Sequence, residues 1–309
     1  MTVAVTGLSV LLPGLTDPRA LLEAPTPEAA PVDPAALIGR KGLRFKDRAT
    51  QLGLSLAQAA LNDAGLIDGA GPAAAGDRIG VVVSTNLGNA DTVCRAVETI
   101  AKESTSGLSP MDTPNASSNI VASEIAIRYG LRGPNLTLCN GVTSGLDAVR
   151  WATLLLRSGR ADHMLVIGVE PDNPVTRALV DGRVVDGGAG VVLGRAADGA
   201  PARALLGPLV RAADLPGCLS RLTSAVPGAA AVIAADPLPG TDAVARIDLG
   251  GWGECSGALG VLQVAAAVGW ADSGRREPVL ALLGGPSAPA ATGLALHAPR
   301  APHTLGERR

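Results

Sequence analysis

The sequence predicts an α/β fold of largely parallel, buried strands arranged in two similar halves, and three observations predict it. Near-continuous apolar runs such as Ile79–Ser84 suit strands covered on both faces. Other segments carry helical spacing: apolar residues fall at Ala49, Leu52, Leu54, Ala57, Ala60, Leu61 and Ala64, and that stripe stops at Gly65. The two kinds of segment alternate, and the alternation returns in the second half of the chain, which argues for an internally duplicated, layered arrangement.

Taken in order, Thr2–Leu8 alternates and is β-branched, a first strand that Pro13 and Gly14 close off. Residues 15–40 are rich in Pro and Ala with weak periodicity and read mostly as loop. The helix of 47–64 follows, then a Gly/Ala/Pro linker at 69–77 and the strand 79–84. A polar helix is expected over 91–102, an extended loop through Pro110 and Pro114, and a helix over 117–129. Residues 136–139 read as a short strand, 143–157 as a helix and 163–169 as a strand. The second half repeats the theme, with strands at 188–193, 204–210, 232–235, 279–283 and 293–297 and helices at 219–226 and 257–268.

Composition narrows the function classes. A chain of 309 residues with 47% hydrophobic and 17% charged residues is a globular protein with a large core. That core is built of Ala, Val and Leu, with one Phe (Phe45), one Tyr (Tyr129) and three Trp (Trp151, Trp252, Trp270). A net charge of −2 gives no electrostatic footprint for nucleic acid. Met1–Gly7 does not read as a signal peptide and no apolar run is long enough to span a membrane, so the expected location is cytoplasmic. Cys94, Cys139, Cys218 and Cys255 form no C-x-x-C pair, which leaves no disulfide framework and no metal site in view. The paired glycines at 187–188 and 250–251 do not form a phosphate-binding motif, so no nucleotide cofactor is implied.

Several stretches resemble the β-ketoacyl synthases of fatty acid and polyketide assembly. Val3-Ala-Val-Thr-Gly-Leu resembles their opening strand, and Asp47-Arg-Ala-Thr-Gln-Leu-Gly-Leu, running on to Gly65, their first long helix. Arg78-Ile-Gly-Val-Val-Val matches the second strand. Asn115–Arg128 and Tyr129-Gly-Leu-Arg-Gly-Pro134 resemble the helix and turn before the active-site strand, and Gly188–Leu193 the strand that opens the second half. The resemblance implies a thiolase-like fold: two pseudo-symmetric halves in a layered αβαβα arrangement, shortened relative to usual ketosynthases. It implies one domain over 1–309, with halves at about 1–170 and 187–300 and a tail at 301–309.

The same resemblance implies that the chemistry is gone. A ketosynthase needs a thiolate at a strand-to-helix turn, where the helix dipole and backbone N–H groups support it. In the family that cysteine follows Gly-Pro by eight residues; here Gly133-Pro134 leads to Val142, which has no nucleophile. Cys139, three residues earlier, reads as a small buried hydrophobe at a strand end. Of the two histidines that stabilise the enolate, one place is nearest Asp236 and the other is Glu254; the lysine five residues before it is Leu249. An anion there repels an enolate. His163, His297 and His303 fall in no matched catalytic segment. The lid between Glu170 and the Gly-rich strand is cut to Pro171–Asp186, and the final glycine turn is represented only by Leu283-Gly-Gly-Pro-Ser287.

A ketosynthase-like chain without its own chemistry resembles the chain length factor of type II polyketide systems. That resemblance implies a catalytic ketosynthase partner in a heterodimer and an acyl-chain tunnel bounded by Met111, Asp112, Thr113, Asn115 and Ser117. Family members of this kind commonly carry Gln where this chain has Val142. The basic stretch Arg40–Arg48 suits an acidic acyl carrier protein or simply a solvated helix start. Two other readings stay open: an acyltransferase or thioesterase using Cys139, Ser144 or Cys255, and a homodimeric carrier-protein binding module.

Overall fold

The computed structural model describes residues 1–25, 29–180, 182–196, 202–235, 238, 240–241, 244–285 and 288–299. The first half runs β1 (Val3–Leu11), α1 (Pro34–Ile38), α2 (Arg48–Asp63), β2 (Ile79–Ser84), α3 (Ala90–Glu103), α4 (Ile120–Tyr129), β3 (Asn135–Leu138), α5 (Ser144–Arg157), β4 (His163–Glu170), α6 (Pro174–Val180) and β5 (Gly187–Arg195). The second runs β6 (Ala204–Ala212), α7 (Leu215–Ala225), β7 (Ala231–Ile233), β8 (Ala245–Ile247), α8 (Leu259–Asp272), β9 (Val279–Leu283) and β10 (Ala291–His297).

The strands form a ten-stranded sheet in the order β3-β2-β4-β5-β1-β6-β10-β9-β7-β8. Read from either outer edge inward, each half has the order third, second, fourth, fifth, first. The pairing directions match too: β3, β2 and β4 are parallel, as are β8, β7 and β9, while the fifth strand of each half is antiparallel to both neighbours. The halves join where β1 and β6 pair antiparallel over Val3–Val5. The expected duplication is therefore present in the strand order, but Gly187–Arg195 closes the first half instead of opening the second, and the expected largely parallel sheet is corrected to a mixed one. The cause is that β5 and β10 lie under helices on both faces. A doubly covered antiparallel strand carries the same unbroken apolar run as a parallel one.

Three apolar clusters mark the helical layers. Leu52, Leu56 and Leu61 of α2 and Ile125 of α4 pack with Ile79, Val81, Val83, Leu165 and Ile167 on one face of the first half. Leu219 and Leu222 of α7 pack with Val232, Leu280 and Leu282 on the outer face of the second. Between them, Val149 and Ala152 of α5 and Val261, Val264 and Val268 of α8 meet the opposite strand faces, at Val82, Val166, Ile233 and Ala281. Alternate residues of one strand thus enter different clusters, as the period of two requires. The layers follow as helix, sheet, helix, sheet, helix.

The central helices cross at glycine. A Cβ on Gly260 would lie 2.3 Å from the Leu146 amide nitrogen, and one on Gly145 would lie 2.5 Å from that of Gly260. This backbone contact sits in the first turn of both helices, so their N-termini open onto the same place. Smaller departures from expectation concern short elements. Residues 15–40 hold a 3₁₀ turn at Pro18–Leu22, capped by the Asp17 carboxylate, as well as α1. Helix α6 and strand β8 were not foreseen, being too short to carry a period.

Candidate functional site

The two helix N-termini meet at an open cavity of about 490 Å³ lined by Asn86, Cys139, Val142, Glu254, Ser256 and Leu259. Val142 lies in the turn between β3 and α5, the strand-to-helix position that the sequence assigned to it. Glu254 lines the same cavity from the opposite half, with its Oε1 accepting the Ser256 N–H at 2.6 Å. Leu249 is 2% exposed and joins the central apolar cluster beside Trp252. Val142, Glu254 and Leu249 are therefore brought to one region; Asp236 lies outside the described residues, as do Pro286, Ser287 and His303.

Sequence reasoning missed the residue that organises the turn. The Asn86 amide donates to the Gly141 carbonyl and Ser256 Oγ, both at 2.9 Å. Its oxygen accepts from the Gly141 N–H at 3.2 Å and from Ser144 Oγ at 3.0 Å. Ser256 holds a left-handed backbone at φ 39° to reach that amide.

Below the cavity floor lies Glu170, fully buried. Its Oε1 accepts the N–H groups of Asn86 (2.6 Å) and Gly257 (2.9 Å), and its Oε2 accepts Thr85 Oγ1 (2.9 Å) and the Leu87 N–H (3.0 Å). Burial pushes its carboxyl up to about 7 against the pull of those bonds. One side chain thereby ties the loop after β2 to the turn before α8. The only advance signal was a carboxylate ending an apolar strand.

The alternative nucleophiles fare differently. Ser144 is fully buried, accepting the Asn140 N–H at 2.5 Å and donating to Asn86. Cys255 is buried, and desolvation pushes its thiol up to about 12. Cys139 corrects an expectation: it is exposed at the cavity wall, because it follows the last residue of β3, an edge strand, where the chain turns onto the open cavity. Partial burial and the Glu170 carboxylate raise its thiol, the reverse of what a nucleophile needs. Among the described residues no group of His, Cys, Asp or Glu is placed to hold a metal ion. His163 begins β4, with burial lowering its pKa, and His297 ends β10.

The tunnel candidates sit together on one stretch. Met111 is 58% exposed, and Asp112, Thr113 and Ser117 are exposed too. Asn115 is buried, its amide donating to the Phe45 carbonyl at 2.6 Å. The turn Thr113–Ala116 packs against α3, whose Val93, Val97 and Ile100 are all exposed. On α5, Trp151 and Leu154 are exposed in the same way. In the basic stretch, Lys46 pairs with Glu124 and Arg48 with Asp186, leaving Arg40, Lys41 and Arg44 exposed. No helix among the described residues is long and apolar enough to cross a membrane.

A family model described as β-ketoacyl synthase, N-terminal domain, matches residues 26–182, just over half of the chain. Among curated proteins, 3-oxoacyl-[acyl-carrier-protein] synthase 2 of Vibrio cholerae is 29% identical over 133 residues, 43% of this chain and 31% of that protein. The tetracenomycin polyketide synthase ketoacyl synthase alpha subunit of Streptomyces glaucescens is 36% identical over 145 residues, 44% of this chain and 33% of that protein. The chain thus spans about a third of the length of the curated relatives it matches. Among solved structures, the ishigamide ketosynthase/chain length factor superposes with a TM-score of 0.75 at 22% identity, covering 96% of this chain and 99% of that one. A type II polyketide synthase acyl-carrier protein in complex with its ketosynthase superposes with a TM-score of 0.76 at 16% identity, covering 96% of this chain and 99% of that one. These likenesses establish the thiolase-like fold.

Proposed function

This chain belongs to the β-ketoacyl synthase family, and we propose that within it the chain is a non-catalytic partner of the chain length factor kind. It pairs with an active ketosynthase and bounds the tunnel in which that subunit's acyl chain grows. One observation carries the reading. The family's nucleophile position at the turn into α5 is Val142, the residue across the cavity is Glu254, and Leu249 walls a smaller cavity that also borders Glu254. A cavity with Val142 at the helix turn, no basic side chain, a carboxylate at its wall and, in Cys139, only a thiol whose pKa is raised is poorly equipped to form a thioester or to hold an enolate.

The surface supports a partner. Strand β3 is an outer edge of the sheet, with unpaired backbone groups that a second chain can extend. Val97, Ile100 and Met111 add exposed apolar surface on α3 and the segment beside it. The relatives named above include a ketosynthase/chain length factor and a ketosynthase with its acyl-carrier protein, which is the setting this reading requires. On the same reading Met111, Asp112, Thr113, Asn115 and Ser117 border the tunnel. The carrier protein, being acidic, meets the exposed Arg40, Lys41 and Arg44.

The test is size and mass analysis of the chain alone and co-expressed with the full-length ketosynthase of its pathway. A stable one-to-one complex is expected. A well-behaved homodimer that ignores the ketosynthase would overturn the reading and favour a binding module. Within the complex, Ser117→Phe is expected to shorten the product, and unchanged product lengths would remove Ser117 from the tunnel wall. The competing acyltransferase or thioesterase reading rests on the exposure of Cys139. It requires thioester turnover by this chain that alkylation of Cys139 abolishes.

A further inference from the structure

Behind Glu254 lies a second, smaller cavity of about 90 Å³, walled by Ile233, Ala234, Leu249 and Leu259, with Glu254 and Gln263 as its polar side chains. Gln263 is 1% exposed. Its Nε2 donates to the carbonyls of Ile233 and Leu282, both at 3.0 Å. Two acceptors on that side force the amide's orientation, because turning it over would set oxygen against oxygen. Oε1 is then left without a donor among the described residues. A buried acceptor in this state awaits one.

The side chains of the lining supply none, and most of its N–H groups are engaged. The N–H groups of Ala234, Gly253 and Glu254 already donate to Ile247, Gly250 and Arg183, and that of Gly250 to the Asp248 carboxylate. The Leu259 N–H closes the turn onto the Ser256 carbonyl, and the Cys255 thiol donates to the carbonyls of Gly253 and Leu249. What the cavity offers is the Gln263 oxygen, the Glu254 carboxylate, of which one oxygen already takes the Ser256 N–H, and short apolar walls.

We propose that this cavity is a binding site for a small primary ammonium ligand carrying a short aliphatic stem. An ammonium has three donors and no acceptor, so it fits a site whose free side-chain atoms are all acceptors. The Gln263 oxygen takes one N–H, the Glu254 carboxylate neutralises the charge, and the stem lies against Leu249 and Leu259. At about 30 Å³ of liquid volume per water-sized group, the space holds roughly three to four non-hydrogen atoms. Carboxylates are rejected by Glu254. The inference is independent of the partner-subunit reading, since binding is read on this chain itself.

The experiment titrates the full chain with propylammonium, 1-propanol and propionate, followed by calorimetry and by ligand-observed magnetic resonance. Propylammonium is expected to bind at least about tenfold more tightly than either isostere. Glu254→Gln, a change at an exposed side chain, is expected to weaken it by about the same factor. Leu249→Lys would place a tethered ammonium in the cavity and is expected to abolish propylammonium binding. Should that buried change prevent folding, Glu254→Gln decides alone. Equal affinity for the three probes, no binding of any because water alone fills the cavity, or an unchanged affinity in Glu254→Gln would overturn the proposal.

Discussion

Replacing Glu170 with Gln removes a buried carboxylate while keeping its shape, and the consequence appears in how stability varies with pH. The Glu170 carboxyl has no exposed surface, and burial pushes it from the ordinary 4.5 up to about 7. Between those values the folded chain holds a proton that the unfolded chain has released. Stability therefore falls as pH rises through that window and levels off above it. A tenfold difference in proton affinity between the folded and unfolded chains is worth about 1.4 kcal/mol, so the wild type is expected to lose on the order of 2 to 3 kcal/mol relative to Glu170→Gln between about pH 5 and pH 8. The assay is urea unfolding of both proteins across that range, read as the difference in unfolding free energy, in which the other titrating groups cancel. A difference that stays flat or grows with pH would refute the reasoning. It would mean that the four hydrogen bonds from Thr85, Asn86, Leu87 and Gly257 outweigh burial and keep the carboxylate ionised throughout.

Two further outcomes follow from the same region. Gly260→Ala drives a methyl group into the backbone of α5, 2.3 Å from the Leu146 nitrogen, and neither helix has a flexible group to give way. A loss of about 3 kcal/mol or more, measured by denaturant unfolding, is expected, and a loss under about 1 kcal/mol would show that the helices separate easily. Alkylation with iodoacetamide under native conditions is expected to label Cys94 and, slowly, Cys139. Cys218 and Cys255, whose thiols burial pushes up to about 11 and about 12, are expected to react only after unfolding, as peptide mass mapping would show.

The chain's own order carried a good deal of this. Helix α2 and strands β2 and β9 lie where their apolar spacing put them, because a period of 3.6 or of two is set by covalent neighbours. Counting from Gly133-Pro134 placed Val142 at the turn into α5 without any coordinates, since a turn preserves residue count. Whether a strand pairs parallel or antiparallel was not legible in this way, and β5 was misjudged because its partners, not its composition, set its direction. Cys139 was expected inside and lies at the surface, because it falls one residue past the end of β3, where the chain turns onto the open cavity. Glu170, Asn86 and Gln263 acquire their roles only when segments from both halves close around them. Residues 85–87, 170 and 257 hold the carboxylate together, and 233 and 282 fix the amide. By itself, then, the sequence determined the local elements and the placing of Val142 at the turn into α5, which depend on neighbours along the chain. The tertiary structure decided exposure, pairing and the polar partners of the cavity, because desolvation and hydrogen bonding act between atoms that are close in space and distant in sequence.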